Sequence, residues 1–390
     1  MNSLDRLFAS FAEGGPLPLM VCQVLDFPVG SFTLDGVRAR VAARSARLEA
    51  LRLVTEPKAG SRLRTAPPDI EVHVTGRRVD GRLAAATDEV LRLPLPAGSL
   101  PGWDLHVLSC PVEGVQRVCF RIDHALLDGV GTAHLVAALL SDDPAPGPRP
   151  YRPTAPGRAS LDWVRTLPWR GLRPHETAPL GCGSGPECPP TLAYADLPDA
   201  VLREVAGERS VTVNDLYLAA VAGALRSWQQ QRAGRVRDVV VMMPMSVREA
   251  AATLVPGNAA VGAVVRLPCT LGTARERLDA VAGQAGRLKA SGLRDSGWWA
   301  FSRLPVGVLG RLHARAGLRM ATSHIGLGDP YRVLGAPVRA AGIVALNTPG
   351  LLGYFSLTRT ATTARISLLH DGTLPGAAEL PALCARFLAP

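Results

Sequence analysis

Between Asp142 and Pro190 the chain carries twelve prolines, at positions 144, 146, 148, 150, 153, 156, 168, 174, 179, 186, 189 and 190. Proline fixes φ and has no amide proton, so a stretch this dense reads as an extended crossover and not as a helix or a central strand. It divides the sequence into residues 1–150, a linker over 151–192 and residues 193–390. A chain of 390 residues exceeds a comfortable single core, so two core-forming parts are expected. Apolar residues make up 47% and charged residues 19%, which excludes wholesale disorder.

Hydrophobic spacing predicts a helix over Phe32 to Val54, where Leu34, Val37, Val41, Leu48 and Leu51 recur at helical intervals. Ile70 to Thr75 and Val115 to Ile122 alternate like strands. Thr132 to Leu140 reads as a helix. In the second part, Ser210-Val211-Thr212 caps a helix from about Asn214 to Gln230, and Asp238 to Pro244 is a buried strand. Arg275 to Ala290 is helical and Arg365 to Leu369 a late strand. Strands alternate with helices without the regular rhythm of one doubly wound sheet, and no solenoid repeat is present.

The net charge is +10, and only Lys58 and Lys289 among the 43 basic residues are lysines. The arginines are scattered and form no basic run, which argues against nucleic acid as a partner. A basic surface suits an acidic partner instead: the phosphates of coenzyme A, an acidic carrier protein or an anionic membrane face. No signal peptide opens the sequence and no apolar stretch is long enough to span a bilayer. The expected location is therefore the cytoplasm, with peripheral contact at the inner membrane face. The seven cysteines form no disulfide framework, the Cys182 and Cys188 spacing fits no zinc site, and no metal is expected.

The residue types that carry chemistry converge on Asp123-His124-Ala125-Leu126-Leu127-Asp128-Gly129, where a strand ends and a helix is about to begin. A neutral imidazole takes a proton from a hydroxyl or amine as that group attacks a carbonyl, so His124 is the candidate general base. Asp128 lies four residues on. The apolar residues between them and the turn-permitting Gly129 let it point into the protein, where a buried arginine would anchor it. Taken alone, one histidine near one aspartate is weak evidence, since most such pairs do nothing.

The order of further elements adds to it. His-x-x-x-Asp-Gly at a strand end resembles the signature of the chloramphenicol-acetyltransferase-like acyltransferase superfamily, and its wax ester synthase/diacylglycerol acyltransferase branch is the most similar. Ser3-Leu4-Asp5-Arg6-Leu7-Phe8, Leu100-Pro101-Gly102-Trp103, Val213-Asn214-Asp215, Met243-Pro244-Met245-Ser246-Val247-Arg248 and Gly257-Asn258 resemble elements of that branch in the same order. The resemblance implies an α+β fold (an α/β sandwich) of two similar subdomains with a tunnel between them and His124 midway along it. It implies Arg248 as the partner of Asp128, and no cofactor beyond an acyl-CoA or carrier-bound thioester used as substrate. Asp123, Asn214, Asn258, Ser323 and His324 are the candidate substrate or oxyanion contacts. Two departures stand out: Asp123 occupies the place of a first histidine, and Ser323-His324-Ile325-Gly326-Leu327-Gly328 replaces a Ser-Asn-Val-Pro-Gly-Pro stretch.

Other constellations are weaker. Gly129-Val130-Gly131-Thr132-Ala133-His134 lacks the third glycine of a dinucleotide loop. His73, His106, His134 and His370 read as packing or surface histidines. Trp298, Trp299 and Phe301 suit ordinary packing better than a tunnel wall or membrane contact. The expected activity is O- or N-acyl transfer to a small-molecule acceptor, in lipid or specialised-metabolite biosynthesis. Two other readings are intramolecular condensation, cyclisation or elimination on the same fold, and a silent module that binds a carrier.

Overall fold

A strand that is apolar on both faces must be covered on both faces, and Met20–Pro28 is such a strand, with every residue but the last buried. The computed structural model describes residues 1–13, 19–56, 62–142, 147–152, 190–316, 318–328, 332–346, 350–370, 372 and 374–388. Up to the crossover the elements are α1 (Ser3–Glu13), β1 (Met20–Pro28), α2 (Leu34–Ser45), β2 (Leu53–Glu56), β3 (Arg62–Thr65), α3 (Ile70–His73), β4 (Val74–Arg78), α4 (Leu83–Arg92), β5 (Trp103–Cys110), β6 (Val115–Asp123) and α5 (Gly129–Leu140). After it come β7 (Thr191–Pro198), α6 (Asp199–Glu208), α7 (Val213–Ala233), β8 (Val239–Ser246), β9 (Ala260–Leu267), α8 (Ala274–Ala290), α9 (Trp298–Phe301) and α10 (Val306–Ala316). The chain closes with β10 (Met320–Gly326), β11 (Arg332–Val333), β12 (Ala336–Pro337), β13 (Ala340–Leu346), β14 (Gly353–Arg359), β15 (Thr363–His370) and α11 (Leu380–Leu388).

Two mixed sheets carry the fold, one of five strands in the order β13-β1-β6-β5-β4 and one of six in the order β7-β15-β14-β10-β8-β9. Helices α2 and α5 pack over the first sheet, and α7, α8 and α11 over the second. This is an α+β arrangement of two sheet-and-helix subdomains. The chain does not divide cleanly between them. Strand β13 leaves the second part and pairs antiparallel with β1 from Met20↔Leu346 to Asp26↔Ala340, completing the first sheet. Ile325, Leu327, Ala341 and Ile343 are buried in the same core as Phe27, Trp103, Phe120 and Val136.

Buried ion pairs join the two sheets. Arg117 donates through Nε and Nη2 to the two carboxylate oxygens of Asp26, at 2.7 and 2.8 Å. Arg365 reaches Asp26 at 2.7 Å and Asp196 at 2.6 Å. Both guanidinium groups lie over the Tyr194 ring, 5.0 and 4.2 Å from its centre. Burial alone would raise the pKa of Asp26, but the charges of Arg365 and Arg117 outweigh it and hold the carboxyl below its ordinary value.

Several local expectations are corrected. The helix expected to Val54 stops at Ser45, and Glu49–Arg52 forms one 3-10 turn before β2. Ile70–His73 is a helical turn and not a strand, because the Asp69 side chain accepts from the amides of Glu71 and Val72 and nucleates it. Of the crossover, Thr191 and Leu192 already belong to β7, while residues 153–189, with Cys182 and Cys188, lie outside the described residues. Among the described residues no helix is long and apolar enough to cross a membrane.

Candidate active site

Strand β6 ends at Asp123, whose side chain accepts from the Ala125 amide at 2.8 Å and turns the chain. The Asp123 amide donates to the Gly102 carbonyl at 2.8 Å. A Cβ on Gly102 would stand 3.3 Å from the Asp123 Cβ, so the glycine gives the aspartate its room. His124 follows, half-buried, with its amide donating to the Leu19 carbonyl at 3.0 Å and its ring 4.5 Å from that of Phe8 on α1.

Asp128 caps α5, accepting from the Gly131 amide at 2.7 Å through one oxygen. Its other oxygen accepts from Arg248 Nη2 at 2.7 Å and from the Ala259 amide at 2.7 Å. Arg248 in turn donates to the carbonyls of Ala252, Val255 and Gly257, which fixes the loop after β8 against the His124 loop. The Gly257 amide donates to the Leu126 carbonyl at 2.6 Å and closes the same joint. Burial alone would raise the Asp128 pKa; the Arg248 charge and these hydrogen bonds outweigh it and hold the carboxyl low. The carboxylate oxygens of Asp128 are thus turned to Arg248 and to backbone amides, and Gly129 sits against Ile325 of β10.

The imidazole has a different partner. His124 Nδ1 lies 3.1 Å from Asn258 Oδ1. The Asn258 amide nitrogen donates to Asp5 Oδ1 at 2.9 Å and to the His124 carbonyl at 2.8 Å, both of which can only accept. That sets which end of the amide faces the ring. Oδ1 accepts from Nδ1–H, and the lone pair of the neutral ring falls on Nε2. Burial pushes the His124 pKa below its ordinary value, against the opposing pull of its own carbonyl, Asp128 and Asn258.

The remaining candidates scatter. Asn214 stands in the first turn of α7 with its side chain on the Met243 sulfur at 3.8 Å, while Thr212 and Asp215 form the capping box of that helix. Ser323 is buried on β10 and hydrogen-bonded to Tyr354. His324 points to the opposite face of the strand from Ser323 and Ile325. Burial and the neighbouring Arg359 push it down to about 4. Trp299 is 65% exposed, and Phe301 packs against Val261 and Leu293. Asp5 and Phe8 were missed as site residues: both sit in an opening element with nothing local to mark them, and Asp5 meets Asn258 across 253 positions. A cleft of about 160 Å³ opens beside the loop, between Asp5, Leu63, Ala125, Leu126 and Pro256.

Residues 1–183 match the model of the wax ester synthase/diacylglycerol acyltransferase catalytic domain. A putative diacylglycerol O-acyltransferase of Mycobacterium tuberculosis is 25% identical over 348 residues, 78% of this chain and 67% of the relative. A probable diacylglycerol O-acyltransferase of the same organism is 29% identical over 312 residues, 70% of this chain and 64% of the relative. Among solved structures, the wax ester synthase/diacylglycerol acyltransferase of Marinobacter aquaeolei VT8 superposes with a TM-score of 0.64 at 16% identity, covering 100% of this chain and 97% of the other. The first condensation domain of the CDA synthetase superposes with a TM-score of 0.65 at 20% identity, covering 100% and 94%. A starter condensation domain of rhizomide synthetase, solved in complex with C8-CoA, does so with a TM-score of 0.66 at 17% identity, covering 100% and 92%. The sequence matches and the shared fold agree on what this chain is similar to: acyltransferases of the wax ester synthase/diacylglycerol acyltransferase type, whose catalytic-domain model its residues 1–183 match.

Proposed function

We propose that the chain moves an acyl group from an acyl-CoA or carrier-bound thioester to a hydroxyl or amine of a small molecule, with His124 as general base. The observation that carries the reading is the hydrogen bond between His124 Nδ1 and Asn258 Oδ1, in an amide whose orientation its other partners set. It leaves Nε2 of a neutral ring to accept the acceptor's proton. The acceptor oxygen or nitrogen attacks the thioester carbonyl, the proton passes to Nε2, and the tetrahedral oxyanion collapses with expulsion of the thiolate. Protonated His124 returns the proton to that sulfur. No cofactor and no covalent acyl-enzyme enters these steps.

Asp128 and Arg248 support the loop and take no proton in this scheme. Ser323, on the face of β10 that carries Ile325 against the His124 loop, is the candidate oxyanion donor. His324 faces away and is not assigned that role. The starter condensation domain solved with C8-CoA supports a medium-chain acyl-CoA as the first donor to try.

The test is incubation of the purified protein with acyl-CoA donors and panels of alcohols and amines, read by mass spectrometry. His124→Ala should lower turnover on the order of 10²–10⁴-fold with the fold intact. Full turnover in that variant would refute the role of His124. A carrier-binding module would give no product with any donor and carrier affinity unchanged by His124→Ala.

A further inference from the structure

Asp5 is 2% exposed and sits on α1, far in sequence from the motif that carries His124. We propose that Asp5 is a positioning residue: acting through the Asn258 side chain, it holds His124 in the tautomer that keeps the proton on Nδ1 and leaves Nε2 bare. The inference deepens the general-base reading and rests on it.

Asp5 Oδ1 accepts twice from one residue, from the Asn258 backbone amide at 2.7 Å and from its side-chain nitrogen at 2.9 Å. Oδ2 accepts from the Asn2 amide at 2.6 Å. Asn258 is also 2% exposed, so water cannot readily replace these partners. With Asp5 in place, turning the amide by 180° would set its oxygen against two acceptors, Asp5 Oδ1 and the His124 carbonyl. Without Asp5 only the carbonyl opposes that turn. A turned amide presents a donor to Nδ1, and the ring then carries its proton on Nε2, where it blocks proton acceptance. The His124 carbonyl, which accepts from the Asn258 side-chain nitrogen, still opposes the turn when Asp5 is gone. Loss of Asp5 is therefore expected to mix the two tautomers, not to invert them.

The surroundings are shaped for this contact. Gly257 adopts φ +108°, and a Cβ there would stand 3.2 Å from Asp5 Oδ2. Asn2 ties α1 to the same loop by donating to the Asn258 carbonyl at 2.8 Å, and the Phe8 ring lies against the imidazole. Asp5 has no described hydrogen bond to His124; its charge acts on the ring directly only by favouring the protonated form, and its hold on the tautomer passes through Asn258.

The experiment labels histidine with ¹⁵N and reads the His124 tautomer by long-range ¹H–¹⁵N correlation, at a pH where the ring is neutral; the His124→Ala spectrum identifies its signals. The wild type should show the proton on Nδ1. Asp5→Ala, and Asp5→Asn should the alanine variant fold poorly, should populate the Nε2–H form. Turnover should fall in proportion to the rings that leave the Nδ1–H form, roughly 2–5-fold for a mixed population, with the KM for the acyl donor nearly unchanged. Combining Asp5→Asn with Asn258→Asp should restore the Nδ1–H form, because a carboxylate at position 258 accepts that proton, and should recover turnover above the Asp5→Asn level. A His124 ring that stays Nδ1–H in both Asp5 variants overturns the positioning role. A tautomer that moves while turnover does not would instead overturn the general-base reading of His124.

Discussion

Replacing Asp128 by asparagine separates a strut from a relay. Asparagine keeps an oxygen for the Gly131 amide and remains a good helix cap, so α5 should start where it does now. What is lost is the charge and the second oxygen. Arg248 and the Ala259 amide, each at 2.7 Å, would then face an amide nitrogen that can only donate. Breaking a buried pair from one side costs about 3–5 kcal/mol. Arg248 keeps three backbone carbonyls, which favours the lower end. An unfolding entropy of about 2.1 cal/mol/K per residue gives ~0.8 kcal/mol/K for a chain of this length that unfolds as one unit, so about 3 kcal/mol lowers Tm by ~4 °C. Scanning calorimetry measures the shift, and turnover is measured in parallel well below both melting points. The strut reading expects a substantial loss of Tm and turnover that tracks the folded fraction. A Tm within about 1 °C of wild type, joined to a turnover loss of ~100-fold or more, would refute it and make Asp128 a partner of the imidazole.

Two further outcomes follow from buried charges. Because burial lowers the His124 pKa, the acid limb of kcat/KM should fall below the ordinary histidine value of about 6.5; a midpoint above that value contradicts the assignment. The same depression has a sign for stability. The unfolded chain takes up the proton first, so this residue's contribution falls as pH drops from about 6.5 toward the folded value, which urea titrations across that window would detect. Asp26→Asn should cost about 3–5 kcal/mol in urea unfolding, since it leaves Arg117 and Arg365 buried with half their compensation, while turnover per folded molecule is kept.

How much of this was legible in the sequence depends on how local the cause is. Strand β6, the cap at Thr212 and helices α7 and α8 follow from alternation, capping residues and period within a single window. Ile70 to Thr75 misled over its first four residues because six alternating residues fit a strand and a capped turn equally, and the Asp69 side chain decided for the turn at Ile70–His73. The place of β13 was illegible in principle: an apolar run reads the same whichever sheet it joins. In the site, His124 and Asp128 share seven residues with their loop and could be read together. Asn258 is named from the sequence without its hydrogen bond to the His124 ring, and Asp5 only as part of an opening element. Neither has a local signature, because their chemistry exists only once α1 and the loop after β8 meet.

The place of β13 also bears on how the polypeptide emerges from the ribosome. The partner of β1 on its outer side is Ala340–Leu346, roughly 220 residues after β6 ends. At about 5–20 residues per second, some 10–40 s separate the synthesis of β6 from that of the strand that finishes the sheet. Through that interval Met20 to Asp26 presents unpaired amides and carbonyls along an apolar edge, the kind of template that recruits other nascent chains. Completion of the first sheet thus waits for synthesis of much of the second part, and yield on expression should respond to holdase chaperones more than to the solubility of the finished protein.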